Sequence, residues 1–246
     1  MVPLTRHGWR ELLIGSVVLA VFATLLGWRY APLALVVVPP LIFLFAFFRD
    51  PDRPVPSEQH VMVSPADGVV SDITQIAHDA LLGGPAVRVG IFLSVFNVHV
   101  NRSPCDATVL KVIYKEGKFI NAMNHNAASD ENESNTLLLG DATTGEPIAV
   151  VKQIVGLIAR RIVSTKRVGE QVHRGERIGM IKFGSRTELT IPLSLEPLIR
   201  VKQGQKVRGA ADVLASLGRP VHAPSDATEA PMPPELEPMF GRQTPA

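Results

Sequence analysis

Residues 178–193 read IGMIKFGSRTELTIPL, two apolar-rich, alternating runs that meet at Gly184 and Ser185. Residues 178–183 and 188–193 each have strand character, and a small residue and a hydroxyl share the peptide bond between them. A Gly-Ser pair taken alone is ordinary turn material. With strand-like sequence on both sides, it marks a connection inside a β-rich domain rather than a linker.

The same texture extends outward. From Val61 to about Leu217 the chain consists of short alternating runs, such as residues 86–89, punctuated by glycine, with few helical stretches. Residues 168–176 (VGEQVHRGE) and 201–209 (VKQGQKVRG) echo one another, with valine, polar residues and glycine recurring at matching offsets. That turn-then-strand pattern is similar to lipoyl and biotinyl carrier domains. The expected fold class is mainly β, a β-rich α+β protein with a barrel-sandwich, lipoyl-like core and an N-terminal hydrophobic helical hairpin. Residues 119–136 are polar and asparagine-rich and read as a long loop. Residues 219–246 are proline-rich with little aliphatic pattern and read as a disordered tail.

Near the amino terminus, residues 12–28 and 31–48 are two nearly uncharged apolar runs separated by Arg29 and Tyr30. Each is close to the shortest helix that crosses a bilayer, and Pro39-Pro40 is expected to kink the second. Arg6 and Arg10 precede the pair, and Arg49 and Arg53 follow it. The positive-inside rule then places both ends in the cytoplasm, with Trp28, Tyr30, Phe47 and Phe48 as interface anchors. The expected organisation is a membrane-anchoring hairpin (1–54), a catalytic domain (55–218) facing the cytoplasm at the inner membrane, and a tail (219–246).

A net charge of +2 and the lack of a basic, aromatic-interleaved patch argue against nucleic acid as a partner. The single cysteine, Cys105, excludes an internal disulfide and a cysteine-rich metal site, and the histidines lack ligand spacing, so no metal is expected.

Asp67, before Gly68, His99, in an apolar-alternating segment, and Ser185 supply a carboxylate, an imidazole and a hydroxyl. Those are the parts of a base-activated nucleophile: the acid orients the ring, the ring takes the hydroxyl proton, and the oxygen attacks a carbonyl. Each also has a plain structural reading. Asp67-Gly68 suits a turn, and His99 between Val98 and Val100 suits a satisfied core position.

Four motifs in order shift that balance: FFRDPDRPVP (47–56), SPADGVV (64–70), VFNVHVNRSP (95–104) and KFGSRTE (182–188). Over about residues 40–215 the chain resembles the phosphatidylserine decarboxylases, in the short, single-hairpin form. The resemblance implies that the protein cuts its own Gly184–Ser185 bond. Ser185 Oγ attacks the Gly184 carbonyl to give an ester. Elimination leaves dehydroalanine on the downstream chain, whose hydrolysis releases ammonia and leaves a pyruvoyl group as the covalent cofactor. His99, oriented by Asp67, is the expected base. The mature enzyme then takes the substrate amine as a Schiff base, and the pyruvoyl group draws off the electrons left by carbon dioxide. The expected reaction is phosphatidylserine to phosphatidylethanolamine, carried by two associated fragments of one chain.

The chain also departs from the better-known long form. Phe96 stands where that form has a first histidine, and Asn132-Glu133-Ser134-Asn135 lacks its arginine. Asn97, Arg102, Glu133 and Arg186 are the candidate substrate-binding residues. Two alternatives stand beside this reading: a membrane-tethered, non-catalytic carrier-like module, and a decarboxylase of another serine-headed lipid such as archaetidylserine.

Overall fold

The computed structural model describes residues 3–118, 129, 131–156, 161–182 and 185–222. Phe183 and Gly184 lie outside the described residues, as do most of the polar 119–136 stretch and the chain beyond His222.

Two helices open the chain, α1 (Trp9–Arg29) and α2 (Val38–Phe47), joined through a 3-10 segment, Ala31–Val37. Pro39 and Pro40 do not kink a long helix. They sit in the first turn of α2, where a proline's missing N–H costs nothing. The second apolar run is thereby split, and among the described residues one helical stretch, Arg6–Arg29, is long and apolar enough to cross a membrane.

Fourteen strands follow among the described residues. They are β1 (Val61–Val63), β2 (Gly68–Asp79), β3 (Gly84–Leu93), β4 (Val100–Arg102), β5 (Ala107–Lys115), β6 (Ser134–Gly140) and β7 (Pro147–Val155), then β8 (Arg161–Ser164), β9 (Gln171–Val172), β10 (Arg177–Lys182), β11 (Ser185–Pro192), β12 (Pro197–Ile199), β13 (Lys206–Val207) and β14 (Val213–Leu217). Eight of them form one sheet in the order β13-β2-β3-β11-β7-β6-β5-β9. Two three-stranded sheets, β1-β14-β12 and β4-β10-β8, complete the domain. All pairings between these strands are antiparallel.

The long sheet is curled. β9 and β13 lie at its opposite edges, yet Val172 and Val207 enter the same apolar core with Val89, Ile91, Leu137, Leu139, Leu189 and Ile191. The two echoing windows begin 33 residues apart in sequence, but the structural correspondence runs at a constant spacing of 35 residues, which pairs Gly169 with Gly204 and Val172 with Val207. Gly169 and Gly204 both adopt positive φ, the two-residue strands β9 and β13 follow them, and Gly175 and Ala210 then turn the chain with φ of 81° and 64°.

Two boundaries move relative to the sequence expectation. Ser134 to Thr136 already belong to β6, so the polar stretch ends earlier than its composition indicates. The first residues after Gly218 are docked: Val221 packs on the core, and the His222 N–H donates to Asp141 Oδ2 at 2.7 Å.

Candidate active site

The two runs that flank the Gly-Ser bond enter different sheets. β10 is the middle strand of the sheet β4-β10-β8, whereas β11 lies inside the long sheet between β3 and β7. Ser185 is the first residue of β11, in register with Leu93 on one side and Val155 on the other. Alternation along the strand puts Ser185 and Thr187 on the same face as Leu189 and Ile191, towards the interior. Ser185 is fully buried, and its Oγ has no hydrogen-bond partner among the described residues. A buried hydroxyl without a partner costs ~1–3 kcal/mol, so its retention asks for a reason beyond packing.

His99 immediately precedes β4 and is also fully buried. Its carbonyl accepts the Ile181 N–H at 3.2 Å, which ties it to the strand that leads into the Gly-Ser bond. Ser185 follows Ile181 by four positions, at most ~14 Å of extended chain. Asn101, two residues on from His99, donates to Thr187 Oγ1 at 3.0 Å, and Thr187 is two residues on from Ser185. Asn101 also accepts from Gln153 Nε2 at 2.8 Å, and Gln153 Oε1 accepts from Asn135 at 2.9 Å. This closed polar network holds the β4 segment against β11 and β7 in an otherwise apolar interior.

Two contacts with described residues orient the His99 ring. Nδ1 lies 2.9 Å from the Asn97 carbonyl, which only accepts, so Nδ1 carries the proton and Nε2 is the acceptor nitrogen. On one face Phe47 stacks at 4.4 Å between centroids, tilted by 34°. Burial pushes the imidazole down to about 4, opposed by the Asn97 hydrogen bond and reinforced by the Arg49 cation. At neutral pH the ring is therefore the free base, the form a proton acceptor needs.

Asp67 sits differently from expectation. The direct carboxylate–imidazole bond read from the sequence is not made. Asp67 Oδ1 accepts the Gly209 N–H at 2.8 Å, and Oδ2 is paired with Arg53 at 2.7 Å. The physical reason is local: the Asn97 N–H donates to the Ser94 carbonyl, and the turn so formed carries Asn97's own carbonyl to Nδ1. Burial raises the Asp67 carboxyl, while the Gly209 N–H and the Arg53 charge lower it. Asp67, Gly68, Ser94 and Asn97 line one cleft of about 500 Å³, with Lys206 and Arg208 on its rim. Gly68 is required there by space. A Cβ would stand 2.2 Å from the Phe92 carbonyl oxygen and 2.8 Å from Ile91 Cγ2. Gly68→Ala is expected to cost ~1–3 kcal/mol, seen as a lower midpoint in a thermal melt.

The other candidates divide by environment. Asn97 faces the cleft, its side-chain oxygen fixed by Ser94 N and Oγ at 2.9 and 2.8 Å. Arg102 is buried and paired with Asp50 at 2.7 Å, a structural tie. Arg186 points to the sheet face opposite Ser185, fully buried between Asp72 at 2.7 Å and Glu188 at 2.8 Å. Glu133 hydrogen-bonds the exposed Tyr114, away from the cleft.

The motif at 47–56 has a role the sequence did not disclose. Phe47 and Phe48 are buried in protein with Leu12 and Met180, not placed at an interface with lipid. Arg49 donates to the Phe96 carbonyl at 2.6 Å, Asp50 joins Arg102 and Arg177, and Arg53 joins Asp67. The alternation of opposite charges directly after an apolar run was the available signal: it suits a clamp better than a simple basic flank.

Comparison with known proteins agrees with this geometry. The family model described as phosphatidylserine decarboxylase matches residues 41–215. A phosphatidylserine decarboxylase proenzyme of Rhodopirellula baltica is 43% identical over 213 residues, covering 87% of this chain and 88% of that protein. Proteins of the same name from Solidesulfovibrio magneticus (44% over 212 residues, 86% and 95% covered) and Cupriavidus metallidurans (40% over 216 residues, 87% and 95%) are similarly related. With a buried serine heading a doubly paired strand, a neutral histidine tied to the preceding strand, and a family match that spans both, the chain belongs to the phosphatidylserine decarboxylase family.

Proposed function

We propose that this protein is a proenzyme that cuts its own chain between Gly184 and Ser185, with Ser185 Oγ as nucleophile and His99 as base, and then decarboxylates phosphatidylserine to phosphatidylethanolamine. The observation that carries the reading is the buried, unpartnered Ser185 hydroxyl at the start of β11. A hydroxyl held in a dry site without a partner is a suitable nucleophile once a neutral imidazole takes its proton. The same position suits a pyruvoyl group, which is smaller than serine by one ammonia and needs no N–H partner. Bound there, the group supplies the electron sink for loss of carbon dioxide. His99 then holds a proton for return to the substrate carbon. The Asp67 carboxylate keeps Arg53 in place and sets the charge of the cleft. The adaptor alternative loses its basis with family membership.

The cleft beside Asn97, with Lys206 and Arg208 at its rim, suits a zwitterionic headgroup carrying a phosphate. An apolar groove of about 1010 Å³ along the hairpin, lined by Trp9, Leu41, Ile42 and Phe45 and ending at Arg49, suits the acyl chains. α1 exposes Leu13, Val17, Val18, Val21, Phe22 and Leu25, and Trp28 is 91% exposed, a surface fit for lipid rather than water. We place the hairpin in the inner membrane and the β domain on its cytoplasmic side. The paired turns at Gly169 and Gly204, and the β9 and β13 strands they feed, support a barrel-sandwich core.

Intact mass spectrometry of the purified protein tests the reading. Two fragments meeting at Gly184 and Ser185, the smaller lighter than its hydrolysis product by one ammonia, are the expected result; a single chain under native-like membrane conditions overturns it. The fragments are expected to stay together through gel filtration and part only in denaturant. β11 is bonded along its whole length to β3 and over residues 185–190 to β7, both upstream of the cut, and β14 likewise pairs with β1.

A further inference from the structure

The N-terminal hairpin makes contacts that a passive anchor does not need. Lys182, the last residue of β10 and two before Gly184, is almost fully buried, and its ammonium is paired with Glu11 of α1 at 2.7 Å. The ammonium also lies 6.0 Å from the centre of the Phe48 ring. Two residues earlier on the same face of β10, Met180 packs with Leu12 of α1 and with Phe47 and Phe48. The opposite face of the strand is held by Ile181, which packs with Val155 and Ile162. The strand that delivers the Gly-Ser bond is therefore fixed from the hairpin on one side and from the β domain on the other. Phe47, which ends α2, is at the same time the ring stacked on His99. Further ties seat the hairpin's two ends together: the Asp50 N–H donates to the Pro3 carbonyl at 2.7 Å, and the Thr5 N–H to the Phe48 carbonyl at 2.9 Å.

We propose that the docked hairpin is part of the self-cleavage apparatus: the ion pair between half-buried Glu11 and buried Lys182 positions β10, and with it the Gly184–Ser185 bond, while Phe47 positions the His99 ring. This inference rests on the self-cleavage reading above. Glu11, Lys182 and Phe47 are positioning residues, since they act through β10 and through His99. Removing Glu11 leaves a buried ammonium without its counter-ion, and the strand shifts to rehydrate it. A displacement of ~1 Å at a reacting group costs up to ~10²-fold in rate. Maturation is then coupled to docking, so a chain whose hairpin has not seated against the β domain remains uncut.

The experiment follows cleavage of newly made full-length proenzyme in membranes, by gel and intact mass, for wild type, Glu11→Gln, Phe47→Ala, Phe47→Leu and the exchanged pair Glu11→Lys/Lys182→Glu. Glu11→Gln and Phe47→Ala are expected to slow cleavage about tenfold or more. The exchanged pair, which restores an attraction between the same two positions, is expected to recover most of the wild-type rate, and Phe47→Leu a part of what Phe47→Ala loses. Wild-type rates in Glu11→Gln and Phe47→Ala overturn the proposal. If Glu11→Gln does not accumulate as folded protein, the exchanged pair decides: a folded but uncut exchanged pair also overturns it. A wild-type chain that is never cut sinks the self-cleavage reading itself, a separate outcome from normal cutting with insensitive variants.

Discussion

Ser185→Ala is expected to leave one uncut chain of 246 residues with no decarboxylase activity, and to be at least as stable as the wild-type proenzyme. On the proposed reading the loss is complete, because the same oxygen would make the cut and mark the residue that becomes the cofactor. The stability half follows from burial. Ser185 Oγ is enclosed with no hydrogen-bond partner among the described residues, and removing an unsatisfied buried hydroxyl returns ~1–3 kcal/mol. For a domain of this size each kcal/mol raises the melting midpoint by ~2–4 °C. Few catalytic serines combine those two predictions, and a thermal melt beside an intact mass measures both. A variant that is uncut but clearly less stable would mean that the hydroxyl has a structural partner and that its orphaned state is not what primes it. Ser185→Thr separates chemistry from space. It retains the nucleophile but adds a methyl inside a filled site, so cleavage is expected to be slow and the product ketone one methylene heavier.

The contrast between what the sequence discloses and what it hides runs along the range of the interactions. The strands around the Gly-Ser bond are legible because alternation is a local signal, and the repeated valine-glycine pattern reappears as two matched turns before β9 and β13. Ser185 and His99 are singled out as candidates by their motifs; in the structure Ser185 begins β11 and the His99 carbonyl accepts the Ile181 N–H of β10. Asp67 is singled out in the same way, but its contacts are not legible: its partners, Arg53 and the Gly209 N–H, are brought in by tertiary structure. The motif at 47–56 fails as a local reading for the same reason. Its phenylalanines and arginines look like a membrane boundary in sequence, whereas Phe47 meets His99, Asp50 meets Arg177, and Arg53 meets Asp67. Buried polar residues on inward-facing strand positions, Asn101, Gln153 and Thr187, break the apolar alternation and were the one cue to the network that joins the site.

His99→Ala is expected to block cleavage, and the wild-type pH dependence says how the ring works. With the imidazole held down to about 4, the base form predominates from about pH 5 upward. Cleavage is then expected to be flat from pH 5 to 8 and to fall about tenfold per unit below pH 4, where an ordinary imidazole would already fail near 6.5. The same displacement enters stability. Between about pH 4 and 6.5 the unfolded chain holds a proton that the folded chain does not, so stability rises with pH across that window and is lost as pH falls through it. A shift from 6.5 to about 4 corresponds to roughly 3 kcal/mol at most. Asp67 acts in the opposite sense at the acid end, because its raised carboxyl binds a proton in the folded state first. Replacing His99 by alanine in the Ser185→Ala background removes the window without any confounding cut. Chemical denaturation at pH 7 and pH 5 is expected to show a large difference in the Ser185→Ala protein and a small one in the double variant. Equal pH sensitivity in the two would place the titrating group elsewhere and leave His99 an ordinary solvated histidine, unsuited to act as the buried base.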